Sequence, residues 1–420
     1  MIKERDYDYN KCCFHFFMIL SLVLQPFFEL ASGVFSYYDE IICLFLFFSY
    51  MLKTLRSGRI SKESCRIIVY LFILLFVGLI GNARMVPKQP SIAVLLDILS
   101  NFKLYLFAVS IMDFDISKNT QAKLNDMLSK FIRLIIVILF VCAIISQFID
   151  IGMTDDIRHN IKSFKFIFGN AAGLNTYYYT YMVIFSATIY NNGNLRPHTH
   201  LYLFMALVGW VLTLRSRAIA FAIVYLSIYF LIIVYGFSKK TFRFRWYHAI
   251  PIAGIAFLMG WSTFEEYFIN NTREARYILI RGAIRISKDF LPFGSGFGSF
   301  GTAASRTYYS AVYSKYDMSN IWGLSAGDSY FITDQYWAGI LGQFGVLGAI
   351  IVILLILKLY GICINRNKSD KAMLLASITF IFTSLLASIA AATYIQSSIL
   401  ASLYVIIILS AKGKANCVKG

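Results

Sequence analysis

Two arginines lie close together in a short turn between two apolar runs, at residues 213–217 (TLRSR). Arg215 and Arg217 suit an anion site, because a guanidinium group is planar, stays charged and pairs with phosphate oxygens through a fork of N–H donors. The alternative is that both side chains extend to lipid headgroups at a membrane surface. The turn therefore predicts either an anion site or an interfacial contact.

A second arginine-rich stretch, residues 271–289, has the spacing of a helix, with Thr272 placed to cap its start. Its four arginines are Arg273, Arg276, Arg281 and Arg285. The first two are three residues apart and the last two are four apart, so each pair shares a helix face. The stretch predicts a clamp for a polyanionic substrate such as a diphosphate; the alternative is a helix on the membrane surface that touches lipid phosphates.

A glycine-rich segment follows at residues 292–301 (PFGSGFGSFG). Gly294, Gly296 and Gly298 permit left-handed backbone conformations and a close approach of two backbones. Such a segment can present amide N–H groups to a phosphate. It is not a Walker A sequence, because no Lys-Ser/Thr pair follows the glycines.

Three aspartates come next in the chain, Asp317, Asp328 and Asp334. Asp334 immediately precedes a long apolar run, which places it at the mouth of any cleft between membrane helices. A carboxyl group near a membrane can have a raised pKa and act as a base or an acid. The alternative for each aspartate is an ordinary solvated position in a loop.

Lys103 and Asp97 occur inside a predicted membrane span. Lys103 lies about 19 Å along a helix from Pro90, near the middle of a bilayer. A charged residue at that depth is costly and usually pairs or lines a cavity. Asp97 is a candidate partner, but it is six residues away and does not share the helix face of Lys103. Lys103 is therefore a functional candidate without an assigned role.

The elements that carry these residues are predicted to be membrane helices. The chain has 420 residues, of which 58% are hydrophobic and only 15% charged, whereas a soluble domain has about 25% charged residues. The fold class is therefore all-α, a polytopic helical bundle of one transmembrane domain, residues 1–420. Its twelve predicted spans are residues 14–33, 37–53, 67–83, 91–112, 131–149, 174–190, 199–214, 217–236, 247–263, 336–361, 371–389 and 393–411.

The distribution of lysine and arginine predicts the orientation. With the N-terminus inside, the inner loops and termini hold 23 of these residues, against seven in the short outer loops, as the positive-inside rule requires. Both termini are then cytoplasmic, and one large loop, residues 262–335, lies outside. The net charge of +17 is explained by this bias, and no basic domain outside the membrane is available for nucleic acid.

The order of these features resembles the bacterial O-antigen polymerase (Wzy-type) family, which is related to the O-antigen ligases. The similar pieces are residues 213–218 (TLRSRA), Arg276 ahead of Gly294, and residues 334–348 (DQYWAGILGQFGVLG). Residues 168–175 (FGNAAGLN), with Asn170, are similar to an asparagine motif of the family. The resemblance at the level of motifs extends from about residue 165 to residue 348.

The resemblance implies glycosyl transfer at the periplasmic face of the inner membrane, between oligosaccharides carried on undecaprenyl diphosphate. Arg217 and Arg276 would stabilise the leaving diphosphate, and Asp334, or Asp328 in second place, would orient or deprotonate the acceptor hydroxyl. The further substrate-binding candidates are Arg215, Arg273, Arg281, Arg285, Gly294, Gly296, Gly298, Asn170 and Lys103. The implied partners are the lipid-linked substrate, membrane lipid and a protein that regulates chain length. This chemistry needs no metal ion or other cofactor.

Two other functions compete with this interpretation. The related ligases carry a histidine in the large periplasmic loop, and residues 262–335 contain none, which favours a polymerase. A flippase or other transporter also has about twelve spans, but such proteins place charges at the membrane midplane between two repeats. Here the charges are concentrated in one outer loop and no repeat is visible.

Overall fold

The computed structural model describes residues 2–114, 116–158, 160–191, 193–235, 274–389 and 391–410, and the single positions 254 and 265. In these parts the chain is mostly α-helical. The α-helices are α1 (Ile2–Ala31), α2 (Tyr38–Ser57), α3 (Lys62–Arg84), α4 (Ser91–Met112), α5 (Lys118–Phe148), α6 (Ala171–Ala187), α7 (Thr199–Val211), α8 (Ser216–Tyr229), α9 (Ala275–Asp289), α10 (Ala303–Thr307), α11 (Ala311–Lys315), α12 (Tyr336–Asn367), α13 (Lys371–Ser388) and α14 (Ser397–Leu409).

Short elements connect the helices. A 3₁₀ turn (Gly33–Tyr37) precedes α2, a π-helical turn (Phe230–Tyr235) continues α8, and another 3₁₀ turn (Thr393–Ile395) precedes α14. Two antiparallel β-hairpins also occur. They consist of β1 (Thr154–Arg158) with β2 (Ile161–Phe164), and β3 (Tyr190–Asn191) with β4 (Asn194–Leu195).

Eight helices of the described residues are long and apolar enough to cross a membrane. They are α1 to α5, α8 with its π-helical turn, α12 and α13, and α7 and α14 are shorter apolar helices. A largely helical chain with many apolar helices of membrane length is therefore confirmed. The sixth predicted span corresponds to α6, which has 17 residues, and the ninth, 247–263, falls almost wholly outside the described residues.

The outer surface of the bundle is apolar. Phe45 on α2, Phe76 on α3 and Leu357 on α12 are each about 60% exposed or more. Clusters of large exposed apolar side chains are costly in water, whereas hydrocarbon chains of lipid accommodate them. The composition and the exposed surface thus agree that this is a membrane protein.

Local signals in the sequence fix several helix ends. The Ser61 hydroxyl accepts a hydrogen bond from the Ser64 N–H at the start of α3, at 3.1 Å, and Ser117 does the same for Thr120 at the start of α5. These side chains satisfy N–H groups that have no partner within the helix. Gly58 ends α2 in the left-handed conformation, which costs glycine little.

A break in α12 admits the glycine-rich segment. At Gly345 the backbone leaves the helical region, with φ 61° and ψ −164°. The segment 292–301 lies there between α3, α4 and α12, and Phe297 is fully buried with its ring 4.9 Å from that of Phe344. Non-helical backbone is tolerated among membrane helices where protein surrounds it.

Candidate functional site

Arg276 and Asp334 form an ion pair, with 2.9 Å between Arg276 Nη2 and Asp334 Oδ2. Arg276 is in the first turn of α9, and Asp334 lies two residues before α12 begins. The apolar face of α9 packs on α12 and the loop beside it, which holds the two charged groups at the same end of both helices. Their side chains are 21% and 26% exposed, so both groups are partly shielded from bulk solvent.

A second cation acts on the Asp334 carboxyl from a third element: Arg217, in the first turn of α8. Burial raises the pKa of the Asp334 carboxyl above its usual range, and the positive charges of Arg276 and Arg217 partly oppose that rise. The start of a helix also carries a partial positive charge, which favours an anion nearby. Three of the four residues that the sequence nominated for catalysis are therefore related in the fold: the Asp334 carboxyl pairs with Arg276 and is influenced by the charge of Arg217. The fourth, Asp328, has a local partner instead.

Arg215 is held by Asp155, a residue that was not predicted to belong to the site. Its Nη2 atom lies 2.6 Å from Asp155 Oδ2, and both side chains are about a quarter exposed. Asp155 is in β1, in the loop between α5 and α6. The signal available in the sequence was an adjacent acidic pair, Asp155 and Asp156, in a predicted outer loop otherwise rich in lysine and arginine.

The other arginines of the predicted clamp diverge from Arg276. At 100° per residue, Arg281 and Arg285 project about 140° and 180° away from it around α9. Both are exposed, and the Arg281 guanidinium lies over the Tyr277 ring, 5.7 Å from its centre. Arg273 lies outside the described residues. Arg276 therefore lies on the face of α9 toward Asp334, whereas Arg281 and Arg285 lie on other, exposed faces of the helix.

The glycine-rich segment contacts neighbouring backbones too closely for side chains. Gly294 and Gly296 have φ values of 71° and 89°, and Gly298 has 68°. A Cβ atom at Gly294 would lie 2.5 Å from the Gln343 carbonyl oxygen, and one at Gly296 would overlap Asn82. The glycines are required by this packing.

The amide groups of the segment already have acceptors within the protein. The N–H groups of Gly296, Phe297 and Gly298 donate to the Gln343 carbonyl, Asn82 Oδ1 and Asp97 Oδ2, at 2.7 to 2.9 Å. In this structure they are therefore not available to a phosphate. Packing accounts for Gly294, Gly296 and Gly298, and their role in phosphate binding stays a prediction.

Asp328 and Asn170 have local partners. Asp328 Oδ2 accepts the Gly323 N–H at 3.2 Å and so closes a turn in the large loop. Asn170 Oδ1 accepts the Gly173 N–H at 2.8 Å and caps α6. Both contacts stabilise the backbone, and neither residue contacts Arg276 or Asp334 in the described structure.

Lys103 is buried between α2 and α4, where its ammonium lies 2.5 Å from Asp39 Oδ2 and 2.6 Å from Glu40 Oε1. Asp97, which the sequence offered as a partner, instead accepts the Gly298 N–H. These contacts join Lys103 to α2 and not to the cluster of Arg217, Arg276 and Asp334. In the sequence, the feature that could have identified Asp39 and Glu40 as partners of Lys103 was their position at the edge of an apolar run.

The arrangement of Arg217, Arg276 and Asp334 can bind an anion and exchange a proton beside it. Among the described residues no three His, Cys, Asp or Glu side chains are grouped so that they could hold a metal ion. A scan against protein-family models finds no match to this chain, and a search of curated proteins finds none.

Proposed function

We propose that this chain is a polysaccharide polymerase of the bacterial inner membrane, an O-antigen polymerase that joins oligosaccharides carried on undecaprenyl diphosphate. The observation that supports this best is the convergence of Arg217, Arg276 and Asp334 from three separate segments. Two guanidinium groups beside a carboxyl group suit the release of a diphosphate and the activation of a hydroxyl group.

The proposed topology has twelve spans, with both termini in the cytoplasm and residues 262–335 in the periplasm. The eight helices of membrane length and the lysine and arginine bias support it. In this topology α8 and α12 both begin at the periplasmic side, so Arg217 and Asp334 face the compartment in which such polymers are assembled.

In the proposed reaction, the acceptor hydroxyl oxygen forms a bond to the anomeric carbon of the donor sugar. The bond from that carbon to the diphosphate oxygen breaks, and the electron pair leaves with the diphosphate. Arg217 and Arg276 stabilise the charge that develops there. The diphosphate replaces Asp334 as the partner of Arg276, and the released carboxylate accepts the hydroxyl proton.

A lipid-linked oligosaccharide flippase is the second candidate. The buried group of Lys103, Asp39 and Glu40 favours it, because ionisable residues inside a helix bundle often mark the pathway of a transporter. An O-antigen ligase is less favoured, since residues 262–335 contain no histidine.

The test is a surface-polysaccharide gel from a strain that lacks the gene. A lipid core bearing a single repeat unit, with no ladder above it, is the result expected of a polymerase. Loss of every repeat from the core, with lipid-linked polymer accumulating, would indicate a ligase. Single lipid-linked units retained on the cytoplasmic face would indicate a flippase, and an unchanged ladder would overturn all three.

A further inference from the structure

The β1–β2 hairpin (residues 154–164) holds the backbone of the turn that carries Arg215 and Arg217. The Phe164 N–H donates to the Leu212 carbonyl at 2.8 Å. The Ser163 hydroxyl donates to the next carbonyl, that of Thr213, also at 2.8 Å and fully buried. Two consecutive carbonyl groups, that of Leu212 just before the turn and that of Thr213 at its first residue, therefore accept hydrogen bonds from β2.

The other strand of the hairpin continues this series of contacts. Arg158 Nη1 donates to the Leu214 carbonyl at 3.5 Å, and Asp155 pairs with Arg215. The same Asp155 oxygen accepts the N–H of Ala171, the first residue of α6, at 3.0 Å. Asp155 thus connects the start of α6 with the residue that immediately precedes α8.

The turn needs such external contacts because its backbone is strained. Leu214 has a φ of 50°, a conformation that residues other than glycine rarely adopt. A strained residue persists where its surroundings determine its conformation. Leu214 is two residues before α8, so its conformation sets the direction in which α8 begins and hence the position of Arg217.

We propose that the β1–β2 hairpin is a positioning element for the site, and that Asp155 is a positioning residue. Its carboxylate fixes Arg215, and through Arg215 the first turn of α8, so that Arg217 is directed at Asp334 and at the bound diphosphate. The inference rests on the proposed function for the identity of that anion. It predicts that Asp155 acts on anion binding without touching the anion.

The experiment measures binding of inorganic pyrophosphate to the purified full-length chain in detergent, by titration calorimetry. Asp155→Asn keeps an oxygen for the Ala171 N–H but removes the charge that holds Arg215. We expect it to weaken pyrophosphate binding about tenfold, because one charge-assisted contact of Arg217 is lost. Asp155→Glu should recover part of the affinity. The matched control is Asp150→Asn, which removes an exposed carboxylate that accepts the Gly152 N–H in the described structure.

A double variant separates positioning from general destabilisation. If Asp155 acts through Arg217, adding Asp155→Asn to Arg217→Ala should weaken binding by less than about twofold, because residues that act together are not additive. Thermal melting of each variant, followed in parallel, should show that the folded fraction is the same during the titration. Arg215→Gln removes the same ion pair from the other side and should reproduce the effect of Asp155→Asn.

Three results would overturn the inference. The first is that Asp155→Asn binds pyrophosphate normally while Arg217→Ala does not bind it. The second is that the losses of affinity in the double variant are fully additive, and the third is that the unaltered chain does not bind pyrophosphate. Failure of the proposed function has a different signature. In that case binding would depend on Asp155 as expected, while the strain that lacks the gene would keep its polysaccharide ladder.

Discussion

The proposed reaction requires more of Arg276 than its positive charge. Its guanidinium pairs with Asp334 at 2.9 Å, and the proposed reaction requires it to contact two phosphate oxygens at once. Arg276→Lys keeps the charge but loses the fork of donors. We expect the polymerisation rate in isolated membranes to fall about 100-fold, as it does when one donor to a developing anion is removed.

The control for that variant is Arg306→Lys, an exposed arginine on α10, which should keep the rate of the unaltered chain. Both variants are compared at equal amounts of membrane-inserted protein, measured by immunoblot. Normal polymer from Arg276→Lys would remove Arg276 from the site.

The pKa of Asp334 makes the proposed activity depend on pH. Burial raises the pKa of this carboxyl, so the charged form that serves as a base requires a pH above the ordinary aspartate value of about 3.9. Arg217 opposes the rise, so Arg217→Gln should raise the pKa further. The acid limb of the pH–rate profile is then expected to move to higher pH in this variant. An unmoved limb, or a move to lower pH, would show that Asp334 is not the titrating base.

The glycine-rich segment joins α3, α4 and α12 into one unit. Gly296 has a φ of 89°, and a Cβ atom there would overlap Asn82 on α3. Gly296→Ala should lower the melting temperature in detergent, because overpacking alone costs about 1–3 kcal/mol and backbone strain adds to it. Gly327→Ala is the control, since a Cβ atom at Gly327 would meet nothing within 4 Å. Equal melting temperatures for the two variants would contradict this packing.

The contact between α2 and α4 depends on buried charges. Lys103→Met would leave Asp39 and Glu40 without their cation, and breaking a buried pair from one side costs about 3–5 kcal/mol. Adding Asp39→Asn to Lys103→Met removes one of the two stranded carboxylates. We therefore expect the double variant to melt at a higher temperature than Lys103→Met alone. A further fall in melting temperature would show that the charges do not compensate one another in the folded chain.

Element type was predictable, whereas element ends were less so. The apolar run 131–149 predicted a membrane span, and the helix that contains it, Lys118–Phe148, begins 13 residues earlier. Ser117 caps this start, and the first turns are polar. Hydrophobicity predicts the part of a helix that lies in lipid. The ends of the helix are determined instead by its capping residues. The β1–β2 hairpin was not predicted, because residues 154–164 lack a regular alternation of apolar and polar side chains.

The proposed topology can be tested on the whole chain. A reporter that is active only in the periplasm should be active when inserted after Gly327, which is exposed in the large loop. The same reporter should be inactive after Arg59, in the exposed turn between α2 and α3. The opposite pattern would invert the orientation and place Arg217, Arg276 and Asp334 in the cytoplasm.

Local patterns in the sequence were enough to predict the class of the molecule and the types of residue in its candidate site. Runs of apolar residues long enough to cross hydrocarbon specify membrane helices wherever they occur, and the lysine and arginine bias predicts their orientation. Arg217, Arg276 and Asp334 were recognisable because each lies beside such a run or in a helical pattern. These are local properties, readable within about 20 residues of chain.

Which groups meet depends on the packing of segments that are distant in the sequence. Arg276 pairs with Asp334 across 58 residues of sequence, and the Gly298 N–H donates to Asp97 across 201. Lys103 takes its partners from α2, and Asp155 takes Arg215 from the turn before α8. Such pairs depend on how helices that are distant in the sequence pack against one another. Local periodicity predicts the helix face on which a residue lies, but not the segment that packs against that face.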